Sequence, residues 1–274
     1  MPAPIARALV VRAAGTNCDT EMARAFERAG AQAQTLHLER LIAEPALVDR
    51  FDLIGFPGGF SFGDDIASGR IFAMKLRRNL YPALRAAASR GVPMIAACNG
   101  FQIITQAGLL PGPATGEAWP LDAAPAQEVT LTFNAGGRFI DRWCRVLPDP
   151  ASPCIWTRGL VVRFGPDTLT LPIAHGEGRF VAATDDTVQR LAASGQIALR
   201  YAPGDNPNGS TADIAGICDA SGRIFGLMPH PERYLDWSRH PFWTRLTPDA
   251  RAGDTPGLLM FRNAVEAAVA VSAR

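Results

Sequence analysis

The chain has 274 residues, 47% of them hydrophobic, enough to bury a full core as one large domain. Its 27 basic residues balance 26 acidic ones for a formal net charge of +1, which leaves no electrostatic footprint for nucleic acid. No apolar run approaches the roughly 20 residues of a membrane span, no charged-then-apolar leader is expected, and five cysteines without C-x-x-C spacing fit a reducing cytoplasm better than a secreted disulfide framework.

Strands and helices alternate through the first hundred residues, the mark of a parallel sheet with right-handed crossovers. Strands are expected near 5–12, 32–37, 51–56 and 92–97. Asp19 caps a helix over 20–29, and Ser68 opens a long helix to about Arg90, interrupted near Pro82. The first strand runs into Gly15-Thr-Asn-Cys18-Asp19, where Asn17 and Asp19 make Cys18 read as part of a turn and helix cap. The third ends in Pro57-Gly58-Gly59. Paired glycines let backbone N–H groups approach a developing oxyanion, although Gly-Gly also serves ordinary strand-to-helix turns.

The fourth strand carries the most informative stretch, Val92-Pro-Met-Ile-Ala-Ala-Cys98-Asn-Gly100-Phe-Gln102. Its apolar run fits a parallel strand covered on both faces, and a helix is expected to begin at Cys98. Ala96-x-Cys98-x-Gly100 is the thiol counterpart of the G-x-S-x-G nucleophile elbow, in which small flanking residues let strand and helix backbones approach. A thiol at a helix N-terminus is biased towards thiolate. The Asn99 N–H would be an oxyanion donor, and Gln102, one turn on, can bring its amide to a substrate. A lone cysteine after an apolar strand is also common as a buried small hydrophobe, so the elbow alone leaves both alternatives open.

After Pro111 the texture changes. Residues 127–133 alternate around β-branched side chains, 160–164 and 169–173 are short strand candidates, and Pro and Gly separate them, as in an antiparallel excursion on the same domain. A helix over 185–193 precedes strands near 196–201, 213–218 and 223–228, and a helix over 258–271 closes the chain. The last strand leads into Met228-Pro-His230-Pro-Glu232-Arg233. In an extended segment residues i and i+2 point the same way, and Pro231 restricts the backbone, so His230 and Glu232 can face one site as general base and orienting carboxylate. His175-Gly-Glu177 is a second, looser pair. His37 and His240 lack a charged partner at usable spacing and read as structural, and no cluster has zinc-like spacing. The stretch 234–245 holds four aromatics and two arginines, suited either to covering the core or to docking a partner.

Together these pieces resemble the class I, triad-type glutamine amidotransferases. The glycine turn, the elbow and the His230-Pro-Glu232 run occur in that family's order and approximate spacing. Gly15-Thr-Asn-Cys18-Asp19, Gly58-Gly-Phe-Ser-Phe-Gly-Asp64, Cys98-Asn-Gly-Phe-Gln102, Ala174-His-Gly-Glu-Gly178, Asn208-Gly-Ser, Asp213-Ile-Ala-Gly216 and Met228-Pro-His-Pro-Glu-Arg233 are similar to the glutaminase subunits of phosphoribosylformylglycinamidine synthases. The match runs from about residue 5 to about residue 233. Arg12-Ala13-Ala14 departs from the family's usual proline before the first glycine, and 234–256 is longer than in the shortest members.

The resemblance implies an α/β fold with an open, mostly parallel sheet flanked by helices, a flavodoxin-like core and an antiparallel excursion, with residues 1–274 as a single domain. It implies a Cys98, His230, Glu232 triad, an oxyanion hole from Gly59 and Asn99, and Gln102 and His175 near the glutamine, with no metal and no cofactor in this chain. It further implies hydrolysis of glutamine through a γ-glutamyl thioester, with ammonia passed to a large synthetase subunit holding ATP and Mg. That partner would convert formylglycinamide ribonucleotide to formylglycinamidine ribonucleotide in de novo purine biosynthesis, alongside a small bridging subunit. The chain has no G-x-x-x-x-G-K-[ST] loop of its own. Two rivals are a thiol protease or related hydrolase on the same architecture, and a catalytically silent binding subunit.

Overall fold

The alternation read in the first hundred residues forms half of one sheet. The computed structural model describes residues 5–121 and 123–272, so the ends of the expected 1–274 domain lie outside the described residues. In chain order come β1 (Arg7–Arg12), α1 (Asp19–Arg28), β2 (Gln32–His37), α2 (Leu38–Ala43), β3 (Leu53–Phe56), α3 (Arg70–Lys75), α4 (Tyr81–Ser89), β4 (Met94–Ala97) and α5 (Asn99–Gln106). β1 pairs in parallel with β2 and β3, and β3 with β4. Every residue of β3 and β4 is buried, as strands covered by helices on both faces must be.

The long helix expected over 68–90 is broken by a wide π-helical turn, Leu76–Leu80, between α3 and α4. Pro82 then falls in the first turn of α4, where its missing N–H costs nothing. α2 was not expected. His37 caps it, its Nδ1 accepting from the Glu39 N–H at 3.3 Å, which gives that histidine its structural role.

The second half supplies β5 (Val129–Thr132), β6 (Ile140–Pro148), α6 (Leu160–Arg163), β7 (Thr170–His175), β8 (Arg179–Ala182), α7 (Asp185–Ala193), β9 (Leu199–Tyr201), β10 (Ile214–Cys218), β11 (Ile224–Leu227) and α8 (Pro256–Ser272). The nine-stranded sheet runs β2-β1-β3-β4-β11-β10-β9-β6-β7, while β5 and β8 pair apart. β11 lies parallel to β4, and from β10 onwards neighbours are antiparallel. The parallel core with an antiparallel excursion is therefore present.

Residues 160–164 are not a strand. Gly159, at φ 77°, takes the left-handed conformation that starts α6, and Leu160 is buried while Val162 is 90% exposed, so the apolar run has no strand face to fill. β6 was missed because arginines interrupt its pattern, and β8 because it is only four residues long. In β6, Arg145 points outward to Asp205 at 2.7 Å.

Apolar residues fill both faces of the sheet. On one, Met22, Ala25 and Phe26 of α1 pack with α8, and Phe26 meets Phe261 edge-on at 5.1 Å. On the other, α3, α4 and α5 bury Phe72, Leu84 and Phe101. Each such phenylalanine contributes about 1.5–3 kcal/mol by burial. Tyr234 and His240 are buried, and the Trp237 Nε1–H donates to the Gly253 carbonyl at 2.9 Å, so these aromatics of 234–245 cover the core; Phe242 and Trp243 stay exposed. Among the described residues no helix is long and apolar enough to cross a membrane.

Candidate active site

Cys98 sits where β4 turns into α5, at φ 52° and ψ −110°, a left-handed conformation that a non-glycine residue adopts only under constraint from its surroundings. The helix begins one residue later than expected, with Cys98 as its N-cap. A Cβ on Gly100 would overlap the Phe56 carbonyl oxygen, so only glycine lets α5 approach β3 this closely. The Cys98 N–H donates to the Leu227 carbonyl at 2.8 Å, and the Sγ faces the Ala174 carbonyl at 3.7 Å.

β11 pairs with β4 so that Leu227 stands opposite Ala97, and the turns leaving the two strands emerge at the same sheet edge. That register brings His230 to the elbow. A backbone bond from the His230 N–H to the Pro172 carbonyl at 2.8 Å ties it to β7 as well. His230 and Glu232 are 1% and 2% exposed, with Nδ1 2.7 Å from Oε1. They meet across a single 3-10 turn, Pro231–Arg233, rather than along the extended segment expected. Burial opposes a charge on His230, but the Glu232 carboxylate, Cys98 and hydrogen bonding to the facing thiols outweigh it and hold its pKa well above the ordinary histidine value. The pair thus favours an imidazolium facing the Cys98 sulfur.

Gly58 and Gly59 close the site from β3. Gly59 is at φ 143° and bridges Thr16, with no space for a side chain between the two backbones. Asn99 opens α5, so its N–H belongs to the first-turn amides that lack an intrahelical partner. Its side chain is occupied elsewhere: Oδ1 accepts from the Ser61 N–H at 3.3 Å, and Nδ2 donates to Asp64 at 3.2 Å and Gln102 at 2.9 Å.

Cys98, His230 and Gly59 line a cavity of about 370 Å³. Gln102 and His175 both reach it. Both ends of the Gln102 amide are engaged, the oxygen by Asn99 and the NH₂ by the Glu177 carbonyl, so Gln102 pins the loop after β7 onto α5. His175 is 3% exposed and donates from Nδ1 to Asn134 at 3.1 Å. Burial pulls its pKa down to about 4, with the charge on His230 adding to the effect. His175 and Glu177 do not form a dyad, since the Glu177 carboxylate accepts instead from the Ser68 N–H at 3.4 Å.

Residues 5–266 match the family described as the CobB/CobQ-like glutamine amidotransferase domain. This chain belongs to that glutamine amidotransferase family. It is 38% identical over 265 residues to the phosphoribosylformylglycinamidine synthase subunit PurQ of Dehalococcoides mccartyi, covering 95% of this chain and 96% of that one. Against the subunit of the same name from Treponema denticola the identity is 39% over 241 residues, covering 82% and 87%. A chain of the PurLQS structure from Thermotoga maritima superposes with a TM-score of 0.67 at 29% identity, covering 96% and 99%.

Asp64, Cys18 and Arg233 belong to this amidotransferase pocket, although sequence alone assigns none of them to it. Asp64, in the glycine-rich turn after β3, accepts from the Ser68 hydroxyl at 3.0 Å and the Gly69 N–H at 3.3 Å, and burial raises its pKa. Cys18 does fill the N-cap position of α1, but it also faces the cavity, and Arg233 donates to its Sγ at 3.0 Å. A ligand atom from each of Cys18, His230 and Glu232 lies within 4.8 Å of the other two. The one available signal was the motif Gly15-Thr-Asn-Cys18-Asp19, which matches the glutaminase subunits but whose thiol has no local partner in sequence.

Proposed function

We propose that this amidotransferase is the glutaminase subunit of a phosphoribosylformylglycinamidine synthase, with Cys98, His230 and Glu232 as its triad. The observation that carries the proposal is the strained elbow at Cys98 set against a buried, hydrogen-bonded His230–Glu232 pair across one strand register. The Cys98 thiolate attacks the side-chain amide carbon of glutamine, and the N–H groups of Gly59 and Asn99 stabilise the oxyanion. His230 protonates the leaving ammonia, giving the γ-glutamyl thioester. It then takes a proton from a water whose oxygen attacks the thioester carbon, and collapse of that adduct breaks the C–S bond, releasing glutamate and restoring the Cys98 thiolate beside the imidazolium. Glu232 fixes the imidazole tautomer and supports its charge throughout. Asp64 and Glu177 supply negative charge for the α-ammonium of glutamine and Arg138 a cation for its carboxylate, while Gln102 and His175 shape the pocket wall between them.

Triad chemistry of this kind needs no cofactor in this chain. The relatives are named as subunits of the synthase, and PurLQS is a named assembly. By that likeness the ammonia goes to a large synthetase subunit holding ATP and Mg, with a small bridging subunit completing the complex. The chain works as a single domain in the cytoplasm, where its five free, buried cysteines stay reduced. Glutamate release, measured with and without the co-purified synthetase, tests the proposal. Release that rises with the partner and accompanies formation of formylglycinamidine ribonucleotide is expected, and no release in either case overturns it.

A further inference from the structure

A second cavity, about 610 Å³ against about 370 Å³ for the glutamine pocket, lies along α3 and takes no part in the amidase chemistry. Arg70, Arg77 and Arg78 line it, and among the described residues no carboxylate does. Arg77 donates to the Gln106 and Ala124 carbonyls, at 3.1 and 3.5 Å, rather than to an acid. Ile66 and Met74 line the same cavity and are 87% and 58% exposed. Ile66 also sits at φ 74°, in the left-handed region that a β-branched residue enters only at a cost, and it buries almost nothing in return. The loop after β3 is thus strained into holding an apolar side chain in water.

Gln106, 8% exposed, connects this cavity to the glutamine pocket. Its Nε2 donates to the Ser68 carbonyl at 2.8 Å, while its Oε1 is buried without a partner. Ser68 in turn holds both carboxylates assigned to the α-ammonium of glutamine: its hydroxyl donates to Asp64 at 3.0 Å and its N–H to Glu177 at 3.4 Å. A carboxylate arriving at Arg77 competes with the Gln106 carbonyl for the guanidinium, and so acts on the residue that fixes Ser68.

We propose that this cavity docks an acidic segment of the synthetase subunit, whose carboxylates meet Arg70, Arg77 and Arg78 while an apolar neighbour covers Ile66 and Met74, and that docking resets the glutamine pocket through Gln106 and Ser68. Arginine and methionine are enriched at interfaces, and charge of one sign selects a partner of the other. A small anion would satisfy the guanidiniums but leave Ile66 and Met74 in water. The partner's identity rests on the function assigned above, whereas the surface is read by binding without turnover.

Binding of the full chain to the purified synthetase partner, followed by calorimetry across a salt series, tests the surface. The double variant Arg70→Glu/Arg78→Glu, checked for folding by a thermal melt, should raise Kd by about tenfold or more and flatten the salt dependence. Unchanged affinity in that variant overturns the docking site, and if it has also lost saturable binding of inorganic phosphate, the cavity belongs to a small anion. If the variant does not fold, hydrogen exchange in the wild-type complex decides: amides of 66–78 should exchange more slowly on binding, and unchanged rates overturn the site. Gln106→Leu should dock with wild-type affinity yet lose the fall in KM for glutamine that the synthetase produces, and a full response in that variant overturns the relay. A chain that docks in this way but never releases glutamate, alone or in the complex, would sink the proposed function and leave the surface standing.

Discussion

Gly58 faces the imidazole of His230 so closely that a Cβ there would lie 2.7 Å from Cε1. Its φ is not in the left-handed region, so alanine is compatible with the backbone and the strain would fall on the catalytic ring. We expect Gly58→Ala to fold and to lose about 10²-fold in kcat, with KM for glutamine changing far less, because the base moves while the pocket stays. Steady-state kinetics beside a thermal melt check this. An unaltered kcat would show that the ring tolerates displacement.

Cys98→Ala should abolish glutamine-dependent synthesis by the complex and leave ammonia-dependent synthesis intact, since the thioester route is removed and the synthetase site is untouched. A glutamine-like electrophile should add mass to Cys98 and not to Cys18. Persistent glutamine turnover in the variant would remove Cys98 from the nucleophile role.

Glu232→Gln keeps a hydrogen-bonding group beside His230 but withdraws the charge that lifts its pKa. Turnover should fall by about 10³–10⁴-fold, comparable to His230→Ala at about 10²–10⁴-fold. His175→Ala, tested at saturating glutamine, should act chiefly on affinity. A larger fall in turnover for His175→Ala than for His230→Ala would transfer the base role.

His175 also ties stability to pH. Its unfolded imidazole takes up a proton near the ordinary value of 6.5, while the native ring refuses one until about 4. The unfolded state therefore binds more protons across that window, and stability falls as pH drops through it. His175→Gln should reduce the loss of unfolding free energy between pH 7 and pH 5 by about 2 kcal/mol, measured by urea denaturation. Equal losses in both proteins would mean that the native ring protonates normally.

Gly100→Ala should cost about 3 kcal/mol or more, because the new methyl meets backbone rather than a movable side chain. A chemical-denaturation midpoint within error of wild type would show that α5 can shift away from β3 freely.

The parts of the site that could be read from sequence are those whose geometry is set locally. The elbow follows from small residues two positions either side of Cys98, and the His230–Glu232 pair from the proline between them. Cys18 could not be read that way, because its approach depends on the turns after β1 and β3 crossing at Gly58. The hydrogen bonds of Gln102 were hidden for a similar reason: its partners, Asn99 and the Glu177 carbonyl, include one 75 residues away. In the fold, the parallel strands stood out as continuous apolar runs, whereas β6 was obscured by outward arginines. Residues 160–164 have apolar composition without alternation, and Gly159 decided for a helical turn.

The pairing of β4 with β11 also bears on synthesis of the chain. The nucleophile and its base belong to neighbouring strands whose residues are more than a hundred positions apart, and β11 must enter the sheet between β4 and β10. A ribosome that has released the elbow has therefore made a sheltered thiol but no amidase. Until residues 224–232 emerge and the last parallel strand docks, nothing holds the His230 imidazole against Cys98. Glutamine is thereby safe from half-made copies, and a product ending before residue 224 lacks the base altogether.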